Sequence, residues 1–282
     1  MSTLNFIKMH GLGNDFVIVD DRDGTLTLSR EVVRALSDRN SGVGCDQFIV
    51  LEKAPDSDAD VFMRIYNPDG SQSGACGNAT RCVASLVMAE TGQNDALIQT
   101  QAGLLDCERL GQGLYSVDMG PARADWRDIP LANAQNTNEI GLTVDGFRHG
   151  AVVAVNVGNP HVVFEVANVD DIDLATFGPK IETNPLFPER TNVEVVQILS
   201  PDRIRMRVWE RGAGITRACG SGACAALVAT ARMGLTGRTA EVVLDGGSLT
   251  IDWLADGNVL MTGPVATSFQ GTLDLADYEP KS

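Results

Sequence analysis

Two cysteines occupy matching positions in the two halves of this 282-residue chain. Each is followed directly by a glycine, as Cys76-Gly77 and as Cys219-Gly220. A thiolate can remove a proton bound to carbon, and a thiol on the opposite face can deliver another. A pair of such groups can invert a stereocentre, so this pattern favours a racemase or an epimerase.

The sequence around each cysteine is also repeated. The segment 63–66 (MRIY) precedes Cys76 by the same distance at which 206–209 (MRVW) precedes Cys219. Further matches in the following turns and strands keep a nearly constant offset of about half the chain length. An ordered series of this kind is the signature of an internal repeat, and we therefore predict a duplicated fold. Such a duplication would bring two equivalent thiols to one cleft from opposite sides.

Secondary-structure patterns place strands before each cysteine and a helix after it. Period-two alternation and β-branched runs predict strands, and these are 16–19, 47–51, 61–66, 151–157, 161–166, 193–199 and 204–209. Helices are predicted over 30–38, 79–90, 171–176 and 222–233. The last of these is apolar on nearly every face, which is typical of a buried helix. We therefore predict an α+β fold of two pseudo-symmetric domains, each a curved, barrel-like and mostly antiparallel sheet around a central helix.

Chain length and the position of the repeat define the expected domains. A chain of 282 residues favours two domains. We predict that 1–122 form the domain that carries Cys76 and that 123–267 form the domain that carries Cys219. The C-terminal segment 268–282 is expected to return to the first domain. The stretch 123–138, rich in alanine, asparagine and charged residues, is the predicted linker.

The composition argues against several classes of protein. The net charge of −15 argues against a nucleic-acid or anionic-membrane partner, and no basic cluster offsets it. No apolar stretch has the length of a membrane span or the form of a secretory signal. We therefore expect a cytoplasmic protein that acts on a small molecule, with its six cysteines as reduced thiols rather than disulfides.

The position of each cysteine of the repeat, after a glycine-rich loop and at the start of a helix, favours a reactive thiol. Unpaired N–H groups and the positive partial charge of a helix N-terminus lower the pKa of a thiol there, and they can also bind a carboxylate. We therefore expect Cys76 and Cys219 to have lowered pKa values. The remaining cysteines are expected to be buried structural residues, and they are Cys45, Cys82, Cys107 and Cys224.

A carbanion at the α-carbon of a substrate requires stabilisation. Pyridoxal phosphate supplies it in many enzymes but needs a Schiff-base lysine, and none of the four lysines lies in a suggestive glycine-rich setting. Fixed N–H donors and exclusion of water are the remaining means, so we predict no cofactor. A zinc site built from the pairs Cys76/Cys82 and Cys219/Cys224 would have spacings unlike the usual metal-binding knuckle, and no metal is predicted.

Motifs spread over the whole chain resemble those of the diaminopimelate epimerase family. They are KMHGLGNDF (8–16), NPDGS (67–71), CGN (76–78), GNPH (158–161), PERTN (188–192) and ERGAG (210–214), the last running into ACGSG (218–222). The resemblance implies a cofactor-independent epimerase that interconverts LL- and meso-diaminopimelate, on the route to lysine and to peptidoglycan precursors. It also implies a two-domain pseudo-symmetric fold and a homodimer.

The resemblance implies a role for each matching residue. Cys76 and Cys219 are the implied catalytic base and acid, and His161 and Glu210 are the implied modulators of their pKa. The implied substrate-binding residues are Asn14, Gln47, Asn67, Gly77, Asn78, Asn159, Asn192, Glu210, Arg211, Gly220 and Ser221. Those at the two helix starts would hold the reacting carboxylate, and most of the others would hold the distal amino-acid group.

Other interpretations stay open. A proline or hydroxyproline racemase of the same fold would use the same two cysteines, although Glu210 and Arg211 favour a substrate with a distal amino acid. A thiol redox protein or a metal-binding protein would use Cys76 and Cys219 reversibly. Asparagines beside glycines often serve turns rather than sites, and His161 alone would more often be a strand-end residue bonded to backbone.

Overall fold

The computed structural model describes residues 3–279. The chain forms two compact units. The first unit contains the described chain up to Val117 together with that from Gly263 onwards, and the second contains Asp118–Thr262. The chain passes between the units a few residues before the predicted boundaries, and 280–282 of the predicted return segment lie outside the described residues.

Strands dominate the chain, with a few helices between them. The elements up to Pro121 are β1 (Thr3–Gly11), β2 (Asn14–Asp20), α1 (Arg30–Ser37), β3 (Gln47–Glu52), β4 (Val61–Tyr66), β5 (Gln72–Ser73), α2 (Gly77–Thr91), β6 (Asp95–Thr100), β7 (Gly103–Gly111) and β8 (Leu114–Pro121). Those that follow are β9 (Val152–Asn156), β10 (Pro160–Glu165), α3 (Leu174–Glu182), β11 (Asn192–Ser200), β12 (Arg203–Glu210), β13 (Gly214–Ile215), α4 (Gly220–Arg232), β14 (Thr239–Leu244), β15 (Gly247–Trp253), β16 (Asn258–Pro264) and β17 (Ala266–Asp274). Two short 3-10 turns lie at Val169–Asp171 and Leu275–Asp277.

The two units have the same order of elements and the same strand pairings. In the first unit β2 and β3 are parallel, β3 and β4 antiparallel, β4 and β6 parallel, and β6 and β7 antiparallel. In the second unit β10 and β11, β11 and β12, β12 and β14, and β14 and β15 repeat that series. Each parallel pair is connected through a helix, as parallel strands require. The predicted α+β fold with an internal duplication is confirmed.

The helices after the two cysteines are the buried centres of their units. Helix α2 is buried over most of its length and packs against β1, β6 and β7. Helix α4 is buried from Ala223 to Thr230 and packs against β9, β10, β11, β12, β14 and β15. This burial follows from their sequences, in which alanine and other small or apolar residues lie on several faces. No helix within residues 3–279 is long and apolar enough to cross a membrane.

Two segments differ from the sequence-based expectation. The helix predicted over 171–176 is instead a 3-10 turn at Val169–Asp171 followed by α3, which contains Pro179. The preceding Gly178 lets α3 lie against Trp209, because a Cβ there would come within 2.5 Å of the indole ring. The predicted linker lacks regular structure, but its Ile129 and Leu131 lie in the core of the second unit, so it is an integral part of that unit.

Candidate active site

Cys219 occupies the N-cap position of α4 and is almost completely buried, with 5% of its surface exposed. Its sulfur accepts a hydrogen bond from the backbone N–H of Gly222, with Sγ and N 3.3 Å apart. The hydroxyl oxygen of Ser221 lies 3.6 Å from the same sulfur. The first turn of α4 therefore directs the N–H of Gly222 and the hydroxyl of Ser221 at the Cys219 sulfur. Unpaired N–H groups of this kind are typical of a helix N-terminus.

The surroundings of Cys219 nevertheless oppose the thiolate. Burial, followed by the carboxylates of Glu210 and Glu194, raises the pKa of the Cys219 thiol well above its ordinary value. The contacts from Ser221 and Gly222 lower the pKa but do not offset these effects. The expectation of a lowered pKa is therefore wrong for Cys219. The helix N-terminus was visible in the sequence, and Glu210 on β12 was among the implied modulators of the thiol pKa, whereas Glu194 on β11 was not.

A fully buried contact between a histidine and a glutamate lies next to Cys219 in the second unit. His161 on β10 and Glu194 on β11 are both 0% exposed, and His161 Nδ1 lies 2.7 Å from Glu194 Oε1. The other ring nitrogen, Nε2, lies 2.7 Å from Oδ1 of Asn159. Sequence reasoning missed Glu194. The available signal was a glutamate within the otherwise apolar run Val193 to Val196, since a charged residue in such a run is seldom buried without a partner.

Asn192 connects three parts of the second unit. Its side-chain Nδ2 donates to the carbonyl oxygen of Pro160 at 3.0 Å, and its Oδ1 accepts the backbone N–H of Arg211 at 2.9 Å. These bonds join the starts of β10 and β11 to the end of β12. A side-chain amide has two N–H donors and two acceptor lone pairs. The two bonds of Asn192 use one donor and one lone pair, so one donor and one lone pair remain for a substrate.

Glu210 is the last residue of β12, and Arg211 follows it directly. The Glu210 carboxylate accepts a hydrogen bond from the hydroxyl of Thr216 and lies close enough to Cys219 to affect its pKa. The Arg211 side chain is exposed, and its Nη1 donates to the carbonyl of Glu189 at 3.0 Å. This is the one hydrogen bond of the Arg211 guanidinium within residues 3–279, so its remaining N–H donors can bind an anion.

Cys76 occupies the equivalent N-cap position of α2, and it is half-buried. Unlike Cys219, its side chain does not cap the helix. Its carbonyl oxygen accepts two hydrogen bonds from Thr80, one from the backbone N–H and one from the hydroxyl, both at 2.9 Å. The backbone around Cys76 is thus fixed by the first turn of the helix.

A chain of hydrogen bonds orients the two asparagines of the first unit. Nη2 of the fully buried Arg81 donates to Oδ1 of Asn78 at 2.9 Å, and Nδ2 of Asn78 donates to Oδ1 of Asn14 at 3.1 Å. Nδ2 of Asn14 then donates to Oδ2 of Asp46 at 3.1 Å. Because a guanidinium only donates and a carboxylate only accepts, the two ends fix the direction of both amides.

Asp46 belongs to a charged cluster that supports this chain. Asp15 forms salt bridges with Lys8 at 2.5 Å and with Arg39 at 2.6 Å, and Arg39 also binds Asp46 at 2.7 Å. Burial would raise the pKa of Asp15, but hydrogen bonds from Arg39, Lys8 and Asp46 outweigh it and hold that pKa well below its ordinary value. The cluster therefore carries ionised groups around the start of β2, where Asn14 lies.

The two other predicted substrate residues of the first unit differ in their contacts. Oε1 of Gln47 is buried and has no hydrogen-bond partner within residues 3–279. An unsatisfied buried oxygen is costly, so a ligand donor would stabilise it. Asn67 closes the turn to Ser71, since its Nδ2 donates to Ser71 Oγ at 3.1 Å and its N–H donates to the Ser71 carbonyl. Asn67 therefore stabilises a turn, which is the alternative to substrate binding that the sequence left open for the asparagines.

Each unit thus presents a cysteine at the start of a buried helix, with N–H donors in its first turn and amide side chains close by. The N–H groups can bind a carboxylate, and the thiol can transfer a proton. Gly77 and Asn78 provide the first turn of α2, and Gly220 and Ser221 that of α4.

Solved structures show which class of fold this is. A PhzF-family phenazine biosynthesis protein from Bacillus anthracis matches 97% of this chain and 99% of its own, with a TM-score of 0.68 at 16% identity. A hydroxyproline epimerase from Agrobacterium vitis matches 96% of this chain and 92% of its own, with a TM-score of 0.68 at 15% identity. The protein therefore has the two-unit α+β fold that these proteins share.

Sequence comparison identifies the family within that class. The family model for diaminopimelate epimerase matches residues 6–124 and 153–268. A diaminopimelate epimerase from Rhodospirillum centenum is 58% identical over 268 residues, which are 95% of this chain and 91% of the relative. The chain belongs to the diaminopimelate epimerase family, and the resemblance found in its motifs is confirmed.

Proposed function

We propose that this protein is an epimerase that interconverts LL- and meso-diaminopimelate without a cofactor. The observation that carries the proposal is family membership over nearly the whole chain, together with a cysteine at the N-cap of each central helix. The reaction inverts one α-carbon, for which a base and an acid on opposite faces of that carbon suffice.

Cys76 and Cys219 are the proposed base and acid. In one direction the Cys76 thiolate takes the α-proton, and the resulting carbanion takes the proton of the Cys219 thiol. The products of that step are a Cys76 thiol, a Cys219 thiolate and the inverted amino acid, so that proton and charge balance. In the other direction the roles exchange. The raised pKa of Cys219 favours its role as the acid in the first of these directions.

The helix starts supply the proposed binding of the reacting group. The substrate α-carboxylate would accept hydrogen bonds from the first-turn N–H groups at Gly77 and Asn78 and at Gly220 and Ser221. Negative charge that spreads from the α-carbon into the carboxylate is stabilised by the same fixed donors. These donors are in place before the reaction, because the buried helices hold them.

The distal amino-acid group would be held by the remaining predicted residues. Nδ2 of Asn159 and the exposed guanidinium of Arg211 are donors for its carboxylate. The unsatisfied Oε1 of Gln47 and the carboxylate of Glu210 are acceptors for its ammonium group. A small ring such as proline offers no distal groups to these residues.

Proton NMR in D₂O tests the proposal. Reduced protein is incubated with LL-diaminopimelate and a chelator, with no pyridoxal phosphate, and in parallel with trans-4-hydroxy-L-proline. We expect loss of one α-proton signal and growth of the meso isomer in the first sample, and no change in the second. Exchange of hydroxyproline alone would instead support a racemase of the same fold, and no exchange with free thiols would contradict the proposed function.

We further propose that the protein is a cytoplasmic homodimer that serves lysine and peptidoglycan precursor biosynthesis. The family resemblance supports this assignment. Size-exclusion chromatography with light scattering tests the oligomeric state, and a mass of one chain would contradict it.

A further inference from the structure

Glu194 lies against the first turn of the Cys219 helix. Gly222 has no side chain, and a Cβ built there would lie 3.0 Å from Glu194 Oε1 and 3.2 Å from Cys219 Sγ. The carboxylate oxygen and the sulfur are therefore no more than about 6 Å apart. A glycine at this position allows the close approach.

The orientation of Glu194 follows from the alternation along β11. Val193 and Val195 belong to the hydrophobic cluster that contains α3 residues. Glu194 lies between them, so its side chain projects from the opposite face, where α4 packs. The carboxylate is thereby directed at the helix that carries Cys219 and is excluded from water.

Glu194 has one side-chain partner in this environment. Its Oε1 is bonded to His161 Nδ1 at 2.7 Å, whereas Oε2 is buried and has no hydrogen-bond partner within residues 3–279. A carboxylate that served stability alone would be expected to have both oxygens satisfied. A half-satisfied buried carboxylate next to a reacting group indicates a functional constraint.

The charged groups that act on the Cys219 thiol are Glu210 on β12 and Glu194 on β11. His161 on β10 contacts the second of these carboxylates. Strand β9 has no titratable side chain, Glu241 of β14 pairs with Arg203, and Asp252 of β15 accepts from Thr239. Among the described residues of the second unit, two carboxylates therefore act on this thiol, and an imidazole holds one of them.

We infer that Glu194 is a positioning residue for proton transfer at Cys219: its buried carboxylate, held by His161, keeps the Cys219 thiol protonated in the resting protein. The inference rests on the proposed function and extends it to a residue outside the predicted site. A resting protein of this kind binds first the stereoisomer whose α-proton faces the other thiol. The free protein is thus biased toward one of its two catalytic forms.

The effect on catalysis follows from the proton count. Active free protein holds one proton on its two thiols, so kcat/KM falls at high pH when that last proton is lost. The thiol with the raised pKa governs this alkaline limb, and Cys219 is such a thiol. Because kcat/KM reports the free protein, the limb is the same in both reaction directions.

The test is the pH profile of kcat/KM for Glu194→Gln, measured in both directions. Glutamine keeps the shape and a hydrogen bond to His161 but removes the charge. We expect the alkaline limb to move down by about two pH units, the size that Coulomb's law gives for one charge about 6 Å away at an effective dielectric constant of about 20, while the acid limb stays. The exposed Glu139 provides the matched control, since Glu139→Gln should leave the profile unchanged. An unmoved alkaline limb in folded Glu194→Gln protein would overturn the inference.

A labelling experiment separates this inference from the proposed function. The reaction of Cys219 with methyl methanethiosulfonate is followed against pH by peptide mass spectrometry, because the thiolate is the reacting species. In the natural protein we expect half-maximal reactivity at higher pH than for free cysteine, and in Glu194→Gln at a pH about two units lower than in the natural protein. This holds whatever the substrate is. If Glu194→Gln does not fold, the measurement on the natural protein is sufficient by itself. Half-maximal reactivity of its Cys219 at or below the pH found for free cysteine would overturn the inference.

Discussion

The side chain of Asn192 holds the backbone of Arg211, with Oδ1 and N 2.9 Å apart. Its Nδ2 holds Pro160 on the neighbouring strand. Removal of a buried side chain leaves both backbone groups unsatisfied, and each costs about 1–3 kcal/mol. Asn192→Ala should therefore lower the free energy of unfolding by about 3 kcal/mol, measured by urea denaturation, and raise KM for diaminopimelate. The exposed substitution Asn40→Ala should change stability by less than about 0.5 kcal/mol. Equal effects of the two substitutions would argue against a role of the Asn192 side chain in holding the backbone of Arg211 and Pro160.

Arg81 should be essential for the order of the first unit. It is fully buried and begins the chain of hydrogen bonds that runs through Asn78 to Asn14. Arg81→Met keeps much of the volume but leaves Oδ1 of Asn78 without this donor. We expect the free energy of unfolding to fall by about 3 kcal/mol and kcat/KM to fall at least about tenfold. An active variant of unchanged stability would contradict this role.

Asp15 should make the free energy of unfolding depend on pH in the acidic range. Its pKa in the folded state lies well below that of the unfolded chain, about 4, because Arg39 and Lys8 outweigh burial. Asp15 therefore stabilises the fold above about pH 4, and this contribution is lost as the pH falls from there toward the folded-state pKa. The urea midpoint should fall when the pH is lowered from 5 to 3. We expect this fall to be smaller in Asp15→Asn than in the natural protein. The exposed Asp95→Asn should keep the natural slope, and an equal slope in Asp15→Asn would refute the linkage.

The overall architecture could be predicted because duplication and burial leave direct marks in the sequence. The apolar runs of α2 and α4 and the β-branched strands were visible without coordinates. The extent of α3 was not, since Gly178 and Pro179 are poor helix formers and are accommodated there by packing on Trp209.

The candidate site was only partly predictable, because the charges around Cys219 depend on tertiary packing. Motifs indicated the cysteines and their helix starts, but the electrostatic environment of Cys219 depends on which strands lie under α4. Glu194 resembles an outward-facing residue of an alternating strand, and only the position of α4 over β11 buries it. The raised pKa of Cys219 therefore required the tertiary structure.

Both cysteines should be required for the reaction. A site with one proton-transfer group cannot complete an inversion, so Cys76→Ala and Cys219→Ala should each lose at least about a thousandfold in kcat. Each substitution removes one sulfur atom, and circular dichroism should show the natural fold. The buried Cys107→Ala, distant in sequence from either helix start, should retain activity and serves as the matched control. Near-normal turnover by either of the first two variants would refute a two-base mechanism.

The most direct test of the central claim is to follow the α-hydrogen during the first few per cent of conversion in D₂O. A two-base mechanism delivers a solvent deuteron from the second thiol while the abstracted proton stays on the first. We predict that newly formed meso-diaminopimelate carries deuterium at the inverted carbon, while the remaining LL-diaminopimelate keeps its hydrogen. Product that retains the substrate's own hydrogen, or deuterium that appears equally in both isomers from the start, would contradict the account.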